Sequence, residues 1–172
     1  AMKNSIRYKN LVVSNYVNEV TYYAQFSVLC FSHEDKWKYV AYRGTDDHFI
    51  GWKEDFAMFY EHTILGVHKA QAYLEKIAKA LFGDTKLYVG GHSKGGHFAM
   101  YAAGHMSRNI QDKIVRVDNF DGPGFHASIW EEDSMQNIIS KVHTYAPADS
   151  FFGRWLNSKG EYKIIQSKGK GL

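Results

Sequence analysis

A glycine-rich turn between an apolar run and a helical stretch restricts the fold of this chain more than any other segment. Residues 86–90 form a short apolar run typical of a buried strand, and residues 98–106 carry small and apolar side chains typical of a helix. The turn between them, GHSKG at residues 91–95, matches the pattern GxSxG. Glycine at positions 91 and 95 removes the Cβ clashes of so tight a turn. We therefore predict a strained backbone conformation at Ser93, with its hydroxyl exposed at a sheet edge. The alternative is an ordinary turn with a helix-capping serine.

The remaining patterns predict strands that alternate with helices. Residues 25–31 and 37–43 alternate between two faces around a polar turn, which predicts an antiparallel hairpin. Apolar residues recur every three or four positions over residues 67–82, which predicts an amphipathic helix. Further strands are predicted at residues 113–117, 141–146 and 162–166, and one or two short helices at 125–139. We therefore predict an α/β-hydrolase fold: a mostly parallel twisted sheet with helices on both faces and an antiparallel N-terminal hairpin.

Composition predicts one compact domain over residues 1–172. With 45% hydrophobic and 23% charged residues, and no apolar stretch of about 18 residues, neither disorder nor a membrane-spanning helix is expected. The net charge is +3 and the basic residues are scattered, so nucleic-acid binding is not expected. The single cysteine, Cys30, cannot form an intrachain disulfide and is predicted to be a buried, inert thiol. The N-terminus lacks the apolar core of a signal peptide, and we therefore expect a cytoplasmic protein.

A nucleophilic serine requires a base and a carboxylate that orients the base. In this fold the chain order is serine, then acid, then histidine. Asp149 follows the second predicted strand after the turn and is the preferred acid, whereas Asp121 follows the strand before that and is the alternative. The helix that begins near Lys94 would direct its positive end and free amide groups toward an oxyanion formed at Ser93.

The base is harder to assign, because no histidine follows the last predicted strand. The chain has nine histidines. Four of them lie in the turn, on the helix after it or in a later strand, and chain order places all four poorly for the base: His92, His97, His105 and His143. Of these, His143 lies inside a strand and is kept as a weak candidate. We expect the catalytic histidine just beyond Leu172, within about ten residues of the natural reading frame.

Four ordered segments carry a resemblance to a known group: RGTDD at residues 43–47, GWKEDF at 51–56, GGHSKGG at 90–96 and DGPGF at 121–125. Together they resemble the α/β-hydrolases close to class 3 lipases, and more narrowly the bacterial "domain of unknown function 2974" family. The resemblance covers roughly residues 24–170. It also implies a histidine soon after a Lys-Gly step, which occurs here at residues 168–169 and 170–171.

The resemblance implies roles for individual residues. The residue after Arg-Gly in class 3 lipases donates to the oxyanion hole together with the amide after the nucleophile, and these positions are Thr45 and Lys94 here. Trp52 and Asp55 are implied to be scaffold residues that tie this loop to the next helix. Asp149 matches the position of the lipase acid.

The leading hypothesis is a serine hydrolase that cleaves an ester, lipid or thioester through an acyl-enzyme on Ser93, with an amide substrate also open. No metal or organic cofactor is expected, because this reaction needs none. A metal site is also not expected, because His92 and His97 are five residues apart and His62 and His68 are six apart, and neither spacing places two imidazoles on one helical face. The apolar segment 125–139 is a candidate lid or acyl pocket, with plain core packing as the alternative. A catalytically silent protein of the same fold that binds a lipid or a partner is the rival hypothesis. The many aromatic residues leave a homo-oligomer open.

Overall fold

The computed structural model describes residues 4–22, 24–34, 36–45, 49–58 and 60–166. These residues form a seven-stranded sheet whose strands lie in chain order, β1-β2-β3-β4-β5-β6-β7. The strands are β1 (Val12–Val20), β2 (Gln25–His33), β3 (Trp37–Tyr42), β4 (Lys86–His92), β5 (Ile114–Phe120), β6 (Val142–Pro147) and β7 (Glu161–Ile165). The α-helices are α1 (Phe49–Ala57), α2 (Leu65–Lys79), α3 (Lys94–Gly104), α4 (Arg108–Lys113), α5 (Ala127–Trp130) and α6 (Asp133–Gln136). Two 3-10 helices occupy Ile139–Lys141 and Phe152–Arg154.

The sheet is antiparallel at its N-terminal end and parallel elsewhere. Strands β1, β2 and β3 pair antiparallel, and β3 through β7 pair parallel. The predicted fold class and hairpin are therefore confirmed. Strand β1 was missed, because it lies at the sheet edge with every residue exposed or half-exposed and so lacks the apolar alternation of a half-buried strand.

One layer of helices covers the sheet. The longest helix, α2, places Val67, Leu74 and Ile77 in the core, where it packs against α3. All eleven residues of α3 are buried, and this helix contacts β3, β4 and β5. The turn at residues 91–95, at the start of α3, therefore adjoins a helix whose eleven residues are all buried.

The two faces of the sheet differ in burial. Val40, Leu87 and Val117 face the helices and are fully buried, whereas Arg116 and Phe120 on the opposite face are 44% exposed at the side chain and 39% exposed, respectively. Parallel strands in chain order need crossovers that all run the same way, and right-handed crossovers then put their helices on one face. In this respect the structure differs from the prediction, which placed helices on both faces.

The segment 125–139 packs into the core. Phe125, Trp130, Met135 and Ile138 are each no more than 1% exposed. A Cβ atom on Gly104 of α3 would lie only 1.9 Å from the Met135 sulfur, so helix and segment are in close contact. These four apolar side chains are part of the hydrophobic core.

Candidate active site

Ser93 occupies a sharp turn between β4 and α3. Its backbone dihedrals are φ 55° and ψ −130°, a conformation that a residue with a side chain rarely adopts. The neighbouring glycines make the turn sterically feasible: a Cβ atom on Gly95 would lie 2.3 Å from the Tyr42 carbonyl oxygen, and one on Gly91 would lie 2.4 Å from the Gly95 carbonyl carbon. The Ser93 amide donates to the Phe120 carbonyl at 2.9 Å, which ties the turn to β5.

The Ser93 hydroxyl does not cap the helix that follows it. Ser93 is the N-cap residue of α3, but its side chain makes no capping hydrogen bond. Its hydroxyl is therefore free of the usual structural role of an N-cap serine. The eleven-residue helix still presents its positive end at this position.

The loop after β3 lies against the turn. A Cβ atom on Gly44 would lie 3.1 Å from the Ser93 Cβ atom and 2.6 Å from the His92 carbonyl oxygen. The next residue, Thr45, donates from its hydroxyl to Oδ1 of Asp55 at 2.9 Å. Gly44, from the loop after β3, and Lys94, from α3, thus both adjoin Ser93. The rest of this loop, residues 46–48, lies outside the described residues.

A buried ion cluster lies beside the turn. The ammonium of Lys94 is 2.9 Å from Oε2 of Glu54, 3.4 Å from the Gly51 carbonyl oxygen and 3.9 Å from Oδ1 of Asp55. The Lys94 side chain is 1% exposed, and the two carboxylate side chains are 5% exposed. Burial raises the pKa of Asp55 to about 6, against the lowering effect of Lys94 and of the hydrogen bond from Thr45.

Sequence reasoning missed Glu54 and the side chain of Lys94. It assigned Lys94 only a backbone role and Asp55 a general scaffold role. The signal that could have found the cluster is the acidic pair at residues 54–55 within GWKEDF. Lysine, glutamate and aspartate are seldom fully buried unless they are paired, so if Glu54 and Asp55 are both buried, a cation must lie beside them.

The two candidate acids lie at the same edge of the sheet in different surroundings. Asp121 directly follows β5, has φ 58° and accepts a hydrogen bond from the Ser150 hydroxyl. Asp149 lies two residues beyond the end of β6 and is exposed. It has no hydrogen-bond or ion-pair partner among the described residues. Oδ1 of Asp121 is thus engaged by Ser150, whereas no described residue hydrogen-bonds to the Asp149 carboxylate.

The structure places the weak candidate base far from Ser93. His143 pairs across β6 and β5 with Asp118, which in turn pairs with Gly90, three residues before Ser93. His143 and Ser93 are therefore two strand spacings apart across the sheet, about 10 Å, and three residues apart along the strands, also about 10 Å. A direct contact between the two side chains is excluded. Nδ1 of His143 also lies 2.5 Å from Oε2 of Glu161.

The other nearby histidines have different surroundings. His92 is exposed on the open face of the sheet, the face opposite the helices. His97 is buried, its Nδ1 atom is 3.0 Å from the Gly124 carbonyl oxygen, and its ring packs on Phe125. Burial lowers the pKa of His97 to about 4, so its imidazole is neutral at physiological pH. The histidine expected beyond Leu172 lies outside the described residues.

A cavity of about 400 Å³ opens beside the loop after β3. Its walls come from β1, β2, β3 and the end of β4, with contributions from Tyr16, Leu29, Ala41, Thr45 and His92. It therefore extends from the neighbours of Ser93 over the open face of the sheet.

Within the described ranges, no group of three or more His, Cys, Asp or Glu side chains is arranged to hold a metal ion. No described helix is long and apolar enough to cross a membrane. Cys30 is a free thiol in the core, and burial raises its pKa.

Comparisons with known proteins bear on the family and on the fold of the chain. A family model described as Mbeg1-like matches residues 2–172. A search of curated proteins found no match. Among solved structures, a fungal lipase in complex with an inhibitor is 13% identical, with a TM-score of 0.54 over 83% of this chain and 59% of that chain. The M37 lipase is 15% identical, with a TM-score of 0.56 over 86% of this chain and 58% of that chain. The chain thus spans about three fifths of the length of these lipases, and the likeness shows a lipase-like fold.

Proposed function

The chain belongs to the Mbeg1-like family, and from this membership and the strained turn at Ser93 we propose that it is a serine hydrolase acting on a carboxylic ester, lipid or thioester. The observation that carries the proposal is the backbone of Ser93, φ 55° and ψ −130°, at a strand-to-helix turn. Strain of this kind is stable only where the surrounding structure enforces it, and it is concentrated at functional sites. Here it leaves a serine hydroxyl without a capping role at the positive end of a helix.

In the proposed reaction, Ser93 Oγ attacks the carbonyl carbon of the substrate while a histidine takes the hydroxyl proton. The carbonyl oxygen becomes an oxyanion that accepts hydrogen bonds from the backbone amides of Thr45 and Lys94. Collapse of this intermediate breaks the bond to the alcohol or thiol, which leaves with the proton from the histidine. Water, activated by the same histidine, then hydrolyses the acyl-enzyme and releases the acid and free Ser93.

We propose Asp149 as the carboxylate that orients the histidine. Its exposed carboxylate follows β6, and β7 runs parallel to β6 so that Ile165 pairs with Pro147. A chain that continues past Ile165 therefore emerges at the sheet edge where Asp149 lies. Asp121, which already accepts a hydrogen bond from Ser150, remains the alternative acid.

The cavity over the open face supports an apolar substrate group. Leu29 and Ala41 contribute to its wall, and Thr45 and His92 place one end of it beside Ser93. A volume of about 400 Å³ lies within the range of small-molecule sites. The same cavity would serve the rival hypothesis of a catalytically silent lipid-binding protein, so only a test of Ser93 reactivity separates the two.

The deciding experiment is labelling of the natural full-length polypeptide with a fluorophosphonate, read by intact mass. We expect one adduct, lost in Ser93→Ala. The matched control is Ser128→Ala, because Ser128 Oγ lies 3.4 Å from His62 Nδ1 and is an alternative serine-histidine pair. An adduct that survives Ser93→Ala and disappears in Ser128→Ala would assign the nucleophile to Ser128 instead of Ser93. The absence of any adduct would favour the silent binding protein.

A further inference from the structure

The two residues proposed as oxyanion donors are connected through their side chains. The Thr45 hydroxyl donates to Asp55 Oδ1 at 2.9 Å, and the Lys94 ammonium lies 3.9 Å from the same oxygen atom. Lys94 is also bound to Glu54 at 2.9 Å. One cluster on α1 therefore joins the loop after β3 to the first residue of α3.

The cluster is also anchored to the sheet. Oε2 of Glu54 accepts a hydrogen bond from the backbone amide of Gln25 at 2.9 Å, in addition to the one from Lys94. The Gly51 carbonyl oxygen provides a further acceptor for the Lys94 ammonium at 3.4 Å. Glu54, which binds the Lys94 ammonium, is thereby fixed relative to β2.

Burial of these charges is energetically unfavourable by itself. Removing a lysine and two carboxylates from water costs several kcal/mol per ion, and a buried ion pair often stabilises a fold no better than apolar side chains of the same volume. The residue after a nucleophilic serine contributes its amide whatever its side chain is. A fully buried lysine at this position therefore indicates a role beyond stability.

We propose that Lys94, Glu54 and Asp55 form a clamp that sets the spacing of the Thr45 and Lys94 amides around the oxyanion. The inference rests on the proposed function and deepens it. An oxyanion hole requires both donors within about 2.7–3.1 Å of the developing charge. A misplacement of about 1 Å reduces the rate by roughly 100-fold. In the clamp, Asp55 holds the Thr45 side of this pair, and the Lys94 ammonium compensates the two carboxylates that lie near a negatively charged intermediate.

The test removes the Thr45–Asp55 contact of the clamp and leaves both backbone amides in place. Thr45→Val deletes the hydroxyl that binds Asp55 and retains the backbone N–H. We expect kcat for a p-nitrophenyl ester to fall about 10- to 100-fold with KM changed by less than about twofold. Thr45→Ser restores a hydroxyl and is expected to recover most of the lost kcat. The matched control is Thr85→Val, which removes a threonine hydrogen bond to Phe82 near the opposite end of β4 and is expected to leave kcat unchanged.

A double variant separates the clamp from a general loss of stability. If Thr45 and Asp55 act through one contact, Thr45→Val combined with Asp55→Asn should lower kcat no further than the worse single variant. Melting temperatures should fall similarly in Thr45→Val and Thr85→Val. Multiplied losses in the double variant, an unchanged kcat in Thr45→Val, or a raised KM with unchanged kcat would each overturn the clamp and leave the hydrolase intact. A wild-type protein with no turnover that depends on Ser93 would overturn the proposed function, and the clamp with it.

Discussion

The pH dependence of stability should reveal His97 as a buried neutral histidine. Its side chain lies on α3 one turn after Ser93, is 4% exposed and packs its ring 4.3 Å from that of Phe125. As a neutral imidazole it donates from Nδ1 to the Gly124 carbonyl oxygen. Charging this ring inside the core removes its hydration without supplying a counter-ion, so burial lowers its pKa from 6.5 to about 4.

The sign and size of the effect follow from proton uptake on unfolding. Between pH 6.5 and pH 4 the unfolded chain binds a proton at His97 and the folded chain does not. Acidification therefore favours the unfolded state and lowers the free energy of unfolding. Each pH unit in this window contributes about 1.4 kcal/mol, so His97 alone should remove about 3 kcal/mol between pH 7 and pH 4. That is a large fraction of the 5–15 kcal/mol typical of a domain.

The measurement is urea denaturation at half-unit pH steps for the wild type and for His97→Asn. The asparagine stays neutral throughout, so the variant should lose about 3 kcal/mol less than the wild type over this range, whatever its stability at pH 7. Contributions from all other titrating groups cancel in the comparison. Parallel curves for the two proteins would show that the folded state accommodates a charged His97 and would refute the reasoning.

Three further predictions concern the site. Gly95→Ala should abolish folding or lower the melting temperature strongly, as measured by circular dichroism, because its Cβ atom would lie 2.3 Å from a carbonyl oxygen of β3. An alanine variant that melts like the wild type would contradict the tight turn. Lys94→Met should lower the free energy of unfolding by about 3–5 kcal/mol in urea titrations, because two buried carboxylates lose their cation. A smaller loss would mean that water reaches the cluster. Asp149→Asn should lower kcat by roughly 10³- to 10⁴-fold in ester hydrolysis, and Asp121→Asn by less than about tenfold. The reverse order would assign the acid to Asp121.

The elements that sequence reasoning predicted correctly are those specified by neighbours in the chain. The hairpin of β2 and β3 is visible in a period of two, and helix α2 in a period of three to four, because each pattern reflects burial of one face. The turn at Ser93 was recognisable because its steric demand falls on glycines only two residues away. Its unusual backbone conformation follows from those glycines together with the strand before it and the helix after it.

Other features depend on contacts between residues that are distant in the chain. The Lys94–Glu54 pair spans 40 residues, and no periodicity in the sequence indicates that the lysine beside Ser93 is buried. The apolar pattern of segment 125–139 does not specify its partner, and the contact of Met135 with Gly104 of α3 joins residues 31 positions apart. The single helical layer, likewise, follows from the order of strands in the sheet.

By itself, the sequence determined the class of fold, the strand-to-helix turn and the residue at its apex, since these depend on local sterics and on the period of apolar side chains. The tertiary structure decided which charges are buried together, which carboxylate stays free and how far His143 lies from Ser93. Those properties depend on strand register and on the packing of separate segments, and local patterns of side chains carry little information about either.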